Sequence, residues 1–550
     1  MKRKDFFKLT AAGGALAVIA PISACNSTSS DNKALSRPAF SNDAFTVEPS
    51  IFEGQTIADI HAKMQAGELS ATEITQHYID RINKYDMAGP KVNAVIALNG
   101  KALNEAKKLD TKLKNGEEIG LLHGIPILLK DNINTQKSDG MRTTAGSLAL
   151  MELWPESDAP IVKKLKKAGA IILGKTNLSE WANFRSTSSS SGWSAVGGLT
   201  KNPHILDRSA CGSSSGSAAA VAASFCQVAI GTETDGSIVC PSAVNGIVGF
   251  KPSVGLVSRT GIIPISESQD TAGPITRNIF DAIAVLTAIH GEEEEDIKSK
   301  EIPSDLATDA TSRKLKGAKL GICTNFLGRN TLMDAGFEKV KKELTDAGAE
   351  LIEVELDTIG YGGAEWEILQ YEFKNGLNSY LAKYGNSKTP SSLEDLIAYN
   401  IEFADKEMPF FKQETFESSQ QKGDLTDKDY LDALKTAKEE AADQIDTIMD
   451  KHGLDALIAP TNGPSWVVDM INGDRFTGGS SSAAAVAGYP NITVPAGSHQ
   501  NLPLGISFFG KKWSDFSLLS LAADYEAQFP NRISPAYLPT LSPLESKISS

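Results

Sequence analysis

One serine stands in a polar, glycine-rich segment where it could act as a nucleophile. Ser237 lies in GTETDGSIVCPSA, residues 231–243, between two apolar segments. A serine hydroxyl attacks a carbonyl carbon effectively only when a base removes its proton, and histidine is the most frequent base. The flanking histidines in the sequence are His204 and His290, and neither lies near Ser237. The chemistry at Ser237 therefore raises the question of which group activates it.

A second serine motif lies at residues 212–216, where GSSSG matches the G-x-S-x-G pattern of α/β-hydrolases. That pattern would make Ser214 a nucleophile, and it requires a strand immediately before the motif. The preceding residues, NPHILDRSAC, form a polar, proline-containing segment that is typical of a loop. We interpret the match as a chance feature of a Gly/Ser-rich segment. A histidine-dependent esterase built on Ser214 remains the alternative.

Composition and charge exclude several classes of function. The chain has 550 residues, of which 41% are hydrophobic and 22% charged, and its formal net charge is −14. An acidic chain without a basic stripe disfavours nucleic acid as a partner. The seven histidines are scattered, and the sequence contains neither an HExxH motif nor a CxxC pair. These patterns predict no metal site and no cofactor.

The hydrophobic pattern alternates between helices and short buried strands. SATEITQHYIDRINKYD, residues 70–86, opens with Ser70 and Glu73 at capping-box spacing and predicts a helix. GIPILLKDN and GAIILGKTN predict buried strands that deliver polar residues at their ends, namely Lys130 and Lys175. We interpret Lys175 as an ordinary strand-end lysine. The alternation predicts an α/β protein with helices flanking a central sheet.

The same pattern sets the expected domain boundaries. We predict one catalytic domain over residues 51–535, followed by a C-terminal tail over residues 536–550. Residues 290–450 are more polar and contain helical stretches, so we expect them to form a peripheral helical region of that domain.

Three segments together resemble the amidase signature family. They are GIPILLKDN with Lys130 at the strand end, CGSSSGSAAAVAA with Ser213, and GTETDGSIVCPSA with Ser237. Further segments such as KTNLSEWANFRS and YPNITVPAG look like those of the family, so that the resemblance covers about residues 55–530. The Asp-Gly-Ser turn and LSEWANFR are similar to the peptide amidase-like subgroup. The resemblance implies the amidase signature fold, a large mixed β-sheet covered by helices on both faces.

The resemblance also implies a Ser-Ser-Lys triad, for which no histidine is needed. Ser237 would attack the amide carbonyl, and Ser213, held in a cis peptide, would relay the proton to Lys130. Water would then release the acyl-enzyme. A lysine serves as a base where desolvation lowers its pKa towards about 7 to 8. The apolar strand that ends at Lys130 offers a way to bury the amine.

An oxyanion hole of backbone N–H groups follows from the same resemblance. The implied donors are Thr234, Asp235, Gly236 and Ser237. Much of the family has glycine where this chain has Asp235. A carboxylate near an oxyanion opposes it unless the side chain turns away, and we interpret Asp235 as an ordinary turn residue.

The expected substrate is a linear carboxamide, and the closest resemblance favours C-terminal amides of peptides, which would release ammonia. Fatty-acid and aryl amides remain open, because the same triad serves them. Amide transfer on tRNA fits poorly with an acidic, exported chain. The departure at Asp235 leaves a catalytically inactive binding lipoprotein as another alternative. The candidates for lining an acyl pocket are Trp181, Phe184 and Trp466, although aromatic residues more often form core.

The N-terminal residues predict export. Residues 1–24 combine a basic start with an apolar stretch shorter than the roughly 20 residues that span a bilayer. ISAC, ending at Cys25, resembles a bacterial lipobox, and residues 25–50 form a Ser/Asn-rich tether. We predict a lipoprotein of the periplasm or cell envelope, lipidated at Cys25 and attached to the membrane only by that anchor. A plain secretory signal is the alternative, and RKDFFK also resembles a twin-arginine signal with Lys4 in its second position.

Four further cysteines are Cys211, Cys226, Cys240 and Cys323. Three of them stand in small-residue or apolar settings, which favour buried thiols over disulfide bridges. Four cysteines in a chain of this length form no disulfide framework.

Overall fold

A computed structural model describes residues 45–356 and 361–541. The predicted signal over residues 1–24, the lipidation site Cys25 and the tether up to residue 44 lie outside the described residues. The end of the predicted C-terminal tail, from residue 542, lies outside them as well.

Strands form one large sheet and one small hairpin. The strands are β1 Val95–Leu98, β2 Pro126–Lys130, β3 Ile171–Thr176, β4 Trp193–Ser194, β5 Gly198–Leu199, β6 Val228–Glu233, β7 Val248–Lys251, β8 Thr271–Thr276, β9 Lys319–Cys323, β10 Glu350–Val354, β11 Ala456–Pro460, β12 Asn491–His499 and β13 Leu502–Phe509. Within the described residues, the large sheet has 11 strands in the order β1-β3-β2-β6-β8-β7-β12-β13-β11-β9-β10, and β4 pairs with β5.

Helices precede, separate and follow these strands. The α-helices are α1 Ile57–Gln65, α2 Ala71–Arg81, α3 Ala102–Lys114, α4 Pro160–Lys167, α5 Ser215–Ala222, α6 Val239–Val244, α7 Ile279–Ile289, α8 Thr331–Asp346, α9 Gly362–Tyr384, α10 Leu393–Glu402, α11 Ala404–Glu407, α12 Glu414–Gln420, α13 Lys428–His452, α14 Ser481–Ala487 and α15 Asp515–Gln528.

Local sequence signals set several helix boundaries. The capping box expected at Ser70 and Glu73 is present: the Ser70 hydroxyl accepts the Glu73 N–H, and the Glu73 carboxylate accepts the Ser70 N–H. The predicted helix is therefore confirmed, and it continues as a short π-helical turn over Ile82–Asp86. Helix α13 ends at His452 and is followed by Gly453, whose left-handed φ of 62° favours glycine.

The centre of the sheet is buried on both faces. Every residue of β2, β6 and β8 is buried, which requires cover above and below the sheet. The small side chains of α5 let this helix pack closely against β2, β3 and β6. The sheet contains both parallel and antiparallel pairs, so the predicted mixed sheet with helices on both faces is confirmed.

The strand order brings the chemistry-bearing segments to one edge. β2 lies between β3 and β6 and runs parallel to both. Parallel neighbours end at the same edge of a sheet, where ligands commonly bind. Lys130 closes β2, and the turn that carries Ser237 follows β6. These two residues therefore lie near each other although they are far apart in the sequence.

The polar region at residues 290–450 is not only helical. β9 and β10 form a parallel pair at the sheet edge, with α8 as their crossover helix, so part of this region extends the sheet. The remaining helices, α9 to α13, cover the outside. No helix in the described part of the chain is long and apolar enough to cross a bilayer.

Candidate active site

Lys130 is a fully buried lysine, and no carboxylate among the described residues contacts its amine. Its Nζ lies 2.7 Å from the Ser213 Oγ, 2.8 Å from the Thr232 Oγ1 and 3.1 Å from the Thr232 carbonyl oxygen. Burial lowers the pKa of Lys130 to about 7, although the negative charges of Asp270 and Glu233 raise it. Near neutral pH a large share of this amine is uncharged, and an uncharged amine can accept a proton.

Ser213 lies in the loop before α5, and its peptide bond with Gly212 is cis, as the resemblance implied. A backbone hydrogen bond to the segment around Ser179 holds this loop in place. The Ser213 carbonyl accepts the Ser179 N–H at 3.1 Å. Glycine is required at 212 because an added Cβ would lie 2.1 Å from the Ser179 Oγ.

Ser237 follows a tight turn in which Gly236 has a φ of 75°. Its carbonyl accepts the Ser214 N–H at 3.1 Å, so the two serine-bearing segments are directly linked. The Glu233 carboxylate accepts the N–H groups of Ile238 and Val239 and fixes the chain just beyond the turn. Ser237 is 8% exposed, whereas Lys130 and Ser213 are fully buried. Of the three, Ser237 therefore has the largest exposed fraction.

The Asp235 side chain turns towards α14. Its carboxylate oxygens accept hydrogen bonds from the Ser481 hydroxyl at 2.5 Å and the Ser482 hydroxyl at 2.6 Å. Both carboxylate oxygens of Asp235 therefore have hydrogen-bond donors that lie outside the turn.

The structure gives Ser214 a structural role. Its hydroxyl donates to the Thr232 carbonyl at 3.0 Å and accepts the Thr232 N–H at 3.2 Å, and the residue is fully buried. A loop rather than a strand precedes it. Among the described residues no histidine is hydrogen-bonded to Ser214, and His204 instead bonds the Asn245 carbonyl. The esterase alternative on Ser214 is therefore wrong.

Lys175, the other strand-end lysine, is an ordinary buried ion-pair partner. Its Nζ lies 3.0 Å from the Asp131 carboxylate and donates to the Ile133 carbonyl at 2.7 Å. Burial lowers the pKa of Lys175, although the Asp131 carboxylate raises it. Within the described residues its hydrogen bonds go to Asp131, Ile133 and Thr143 and to neither Ser213 nor Ser237, so it does not take the place of Lys130.

A cavity of about 490 Å³ opens beside the buried end of the site. Its lining includes Asn132, Ser213, Thr232 and Thr234 at the inner end. Its outer walls are formed by the loop at residues 259–271 and by α9. A volume of this size is within the range of small-molecule sites.

None of the three aromatic candidates lines this cavity. Trp181 and Phe184 are 2% and 5% exposed and belong to an apolar cluster with Phe373 and Phe416. Trp466 packs beside Cys211 and Cys240, and its ring N–H donates to Asp474. Their apolar rings are used for core packing, so the expectation that they form an acyl pocket is wrong for this cavity.

Sequence reasoning missed the side-chain contacts that hold the site together, including those of Thr234, which it expected only as a backbone donor. Thr232 contacts Lys130 and also accepts the Asn132 side-chain N–H at 2.9 Å. The Thr234 hydroxyl donates to the Asp270 carboxylate at 2.5 Å. Thr232 and Thr234 stand in the quoted serine segment, and Asn132 follows Lys130 by two positions. Position alone gave no sign of these contacts, which form only when the strands pair.

The expectation of buried thiols was wrong for two of the cysteines. Cys211 and Cys240 form a disulfide, while Cys226 and Cys323 are buried free thiols. Cys211 precedes the Ser213 loop by two positions and Cys240 follows Ser237 by three, so the bridge joins the two serine-bearing segments. Their small-residue surroundings reflect this close approach. In the described part of the chain, no three His, Cys, Asp or Glu side chains are arranged to hold a metal ion.

Fold and site together define an amidase signature protein. A family model for amidases matches residues 73–519. The chain belongs to the amidase signature family. It is 38% identical to a probable amidase of Arabidopsis thaliana over 482 residues, which are 86% of this chain and 89% of that protein.

Solved structures of a peptide amidase are also similar. The native peptide amidase of Stenotrophomonas maltophilia is 46% identical, with a TM-score of 0.83, and the match covers 89% of this chain and 100% of that one. A peptide amidase in complex with the competitive inhibitor chymostatin is 47% identical, with a TM-score of 0.84, over 88% of this chain and 99% of that one.

Proposed function

We propose that this amidase hydrolyses linear carboxamides with Ser237 as nucleophile, Ser213 as proton relay and Lys130 as base. The contact of 2.7 Å between the Lys130 amine and the Ser213 hydroxyl, in a fully buried setting, supports this assignment most strongly. Burial disfavours the ammonium form, so the amine is able to take the Ser213 proton. Ser213 in turn takes the proton of Ser237 as the Ser237 oxygen attacks the carbonyl carbon.

The remaining steps follow from the same groups. The carbonyl oxygen becomes negative when the tetrahedral intermediate forms, and backbone N–H groups of the turn at residues 234–237 stabilise it. Ser213 then passes its proton to the substrate nitrogen and takes the proton back from Lys130, the carbon–nitrogen bond breaks, and ammonia or an amine leaves. Water attacks the acyl-enzyme while its proton passes through Ser213 to Lys130. Return of that proton through Ser213 to the Ser237 oxygen releases the carboxylate and restores the enzyme.

We propose C-terminal amides of peptides as the substrates. The similarity to a peptide amidase over nearly the full length of both chains supports this class. The cavity beside Ser213, with its mixture of apolar and polar walls, supports a substrate larger than a simple aliphatic amide.

Ammonia release from a panel of amides tests this function. The panel contains an amidated dipeptide, a fatty-acid primary amide and an anilide, each incubated with wild type and with Ser237→Ala. We expect turnover of the amidated dipeptide by wild type alone, and labelling of wild type alone by a fluorophosphonate probe. Preference for the fatty amide or the anilide would reassign the substrate class. Absence of both turnover and labelling would favour an inactive binding protein.

We further propose that the protein is an exported lipoprotein anchored at Cys25. The disulfide between Cys211 and Cys240 supports this location, because disulfides persist in oxidising compartments outside the cytosol. The basic and apolar sequence of residues 1–24 supports it independently. We expect Cys25→Ser to move the enzyme from the membrane fraction to the soluble envelope fraction. A wild-type N-terminal peptide that still contains residues 1–24 by mass spectrometry would contradict the proposal.

A further inference from the structure

Two acidic side chains lie beside the turn that carries Ser237. Asp235 belongs to the turn, and Glu365 belongs to the first helical turn of α9. Gln269 connects Glu365 to the residue before Asp235, because its Nε2 lies 3.0 Å from the Glu365 carboxyl and 3.4 Å from the Thr234 carbonyl oxygen. Asp235, Glu365 and Thr234 are all partly exposed, so a molecule that reaches Ser237 from solvent meets these groups.

The charges of Asp235 and Glu365 interact. Burial and the negative charge of Asp235 raise the pKa of Glu365 to about 8, and no basic side chain among the described residues offsets these effects. Lys251 is the cation that acts on Asp235. That lysine is fully buried, and it also faces Glu233. Two acids held close together repel each other when both are ionised, and a bound cation would relieve this repulsion.

A buried hydrogen-bond acceptor in the same group has no donor. Gln269 is 1% exposed, and its Oε1 accepts no hydrogen bond from the residues that the structure describes. This oxygen belongs to the side-chain amide whose Nε2 contacts Glu365. Buried acceptors in native proteins normally have partners, and a ligand N–H would supply the one that is missing here.

Basic groups around the neighbouring cavity are already neutralised. Arg259 is paired with Asp296 at 3.0 Å, and Lys383 is paired with Glu295 at 2.6 Å. Both pairs line the cavity. Arg259 and Lys383, which belong to the described lining of this cavity, therefore each have a carboxylate partner.

We propose that Asp235, Glu365 and Gln269 form a subsite for a cationic group of the substrate, an ammonium or a guanidinium. The subsite rests on the proposed amidase function and deepens it, since it selects amides that carry a positive charge near the scissile bond. Such a cation would donate hydrogen bonds to the two carboxyls and to the free amide oxygen at once.

Binding to a Ser237→Ala variant tests the subsite without turnover. Isothermal titration calorimetry at pH 7 compares N-acetyl-L-argininamide with N-acetyl-L-citrullinamide, and L-phenylalaninamide with N-acetyl-L-phenylalaninamide. We expect the cationic member of at least one pair to bind about tenfold more tightly. A preference in the first pair assigns the cation to the side chain, and a preference in the second assigns it to the α-ammonium. Equal affinities within both pairs would overturn the proposal.

A second substitution separates the subsite from general effects of charge. Adding Glu365→Gln to Ser237→Ala should remove the preference, whereas adding Glu367→Gln should leave it unchanged. Glu367 is on the same helix but pairs with Lys422 at 2.5 Å. A preference that survives Glu365→Gln would refute the subsite. If the cationic amides bind selectively but wild type releases no ammonia from any amide, the subsite stands and the proposed function fails.

Discussion

The pH dependence of acylation gives the sharpest test of Lys130 as the base. The amine must be uncharged to accept a proton, and its pKa is lowered to about 7 by burial. The uncharged fraction is then about one half at pH 7, about one tenth at pH 6 and about one hundredth at pH 5. We therefore expect kcat/KM to be nearly constant above pH 8 and to fall about tenfold per pH unit below pH 6.

The assay uses N-acetyl-L-phenylalaninamide, which has no group that titrates in this range, and follows ammonia release from pH 5 to 9. Lys130→Met should reduce kcat/KM by at least about 100-fold at its pH optimum, because general base catalysis typically contributes that much. Glu365→Gln tests the other group near the turn whose pKa is shifted into this range, since burial and the charge of Asp235 raise the pKa of Glu365 to about 8. The proposed cation subsite does not act in this assay, because N-acetyl-L-phenylalaninamide carries no positive charge. Glu365→Gln should therefore keep the wild-type profile. A wild-type rate that is constant from pH 5 to 8, or a profile that disappears with Glu365→Gln, would refute the assignment.

Three further outcomes are expected. Ser237→Ala should abolish labelling by a fluorophosphonate, whereas Ser214→Ala should keep the labelling. Ser214→Ala should also lower the free energy of unfolding by about 1 to 3 kcal/mol, because the Ser214 hydroxyl is hydrogen-bonded to the backbone of Thr232. Labelling lost only with Ser214→Ala would reverse the roles of the two serines. Lys175→Met should lower the free energy of unfolding by about 3 to 5 kcal/mol in urea titrations, since it leaves a buried carboxylate unpaired; an unchanged midpoint would contradict this. Replacing Cys211 and Cys240 by alanine should lower the free energy of unfolding by about 3 to 4 kcal/mol, because the bridge closes a loop that spans 29 positions. An unchanged melting temperature would show that the bridge does not constrain the unfolded chain.

Several features could be predicted because short stretches of sequence encode them. The capping box at Ser70 and the apolar strand that ends at Lys130 are local patterns, and both appear in the structure as expected. The order of Lys130, Ser213 and Ser237 along the chain identified the family, because each stands in its own compact motif. The α/β fold followed from the alternation of helical and extended patterns.

Other features depend on residues that meet only after folding. The partners of Asp235 are more than 240 positions away in the sequence, and the disulfide joins cysteines whose surroundings suggested free thiols. Glu365 reaches the nucleophile turn only because α9 packs over it, and its region appeared merely polar and peripheral. The aromatic residues expected in a pocket were taken up by the core instead.

The residue types and their order along the chain therefore settled which groups could perform amide chemistry. Folding decided their protonation, their neighbours and the shape of the cavity. The physical reason is that a pKa depends on exclusion of water and on charges nearby in space. Lys130 is removed from water and placed near these charges only when β2, which ends at Lys130, pairs with β3 and β6.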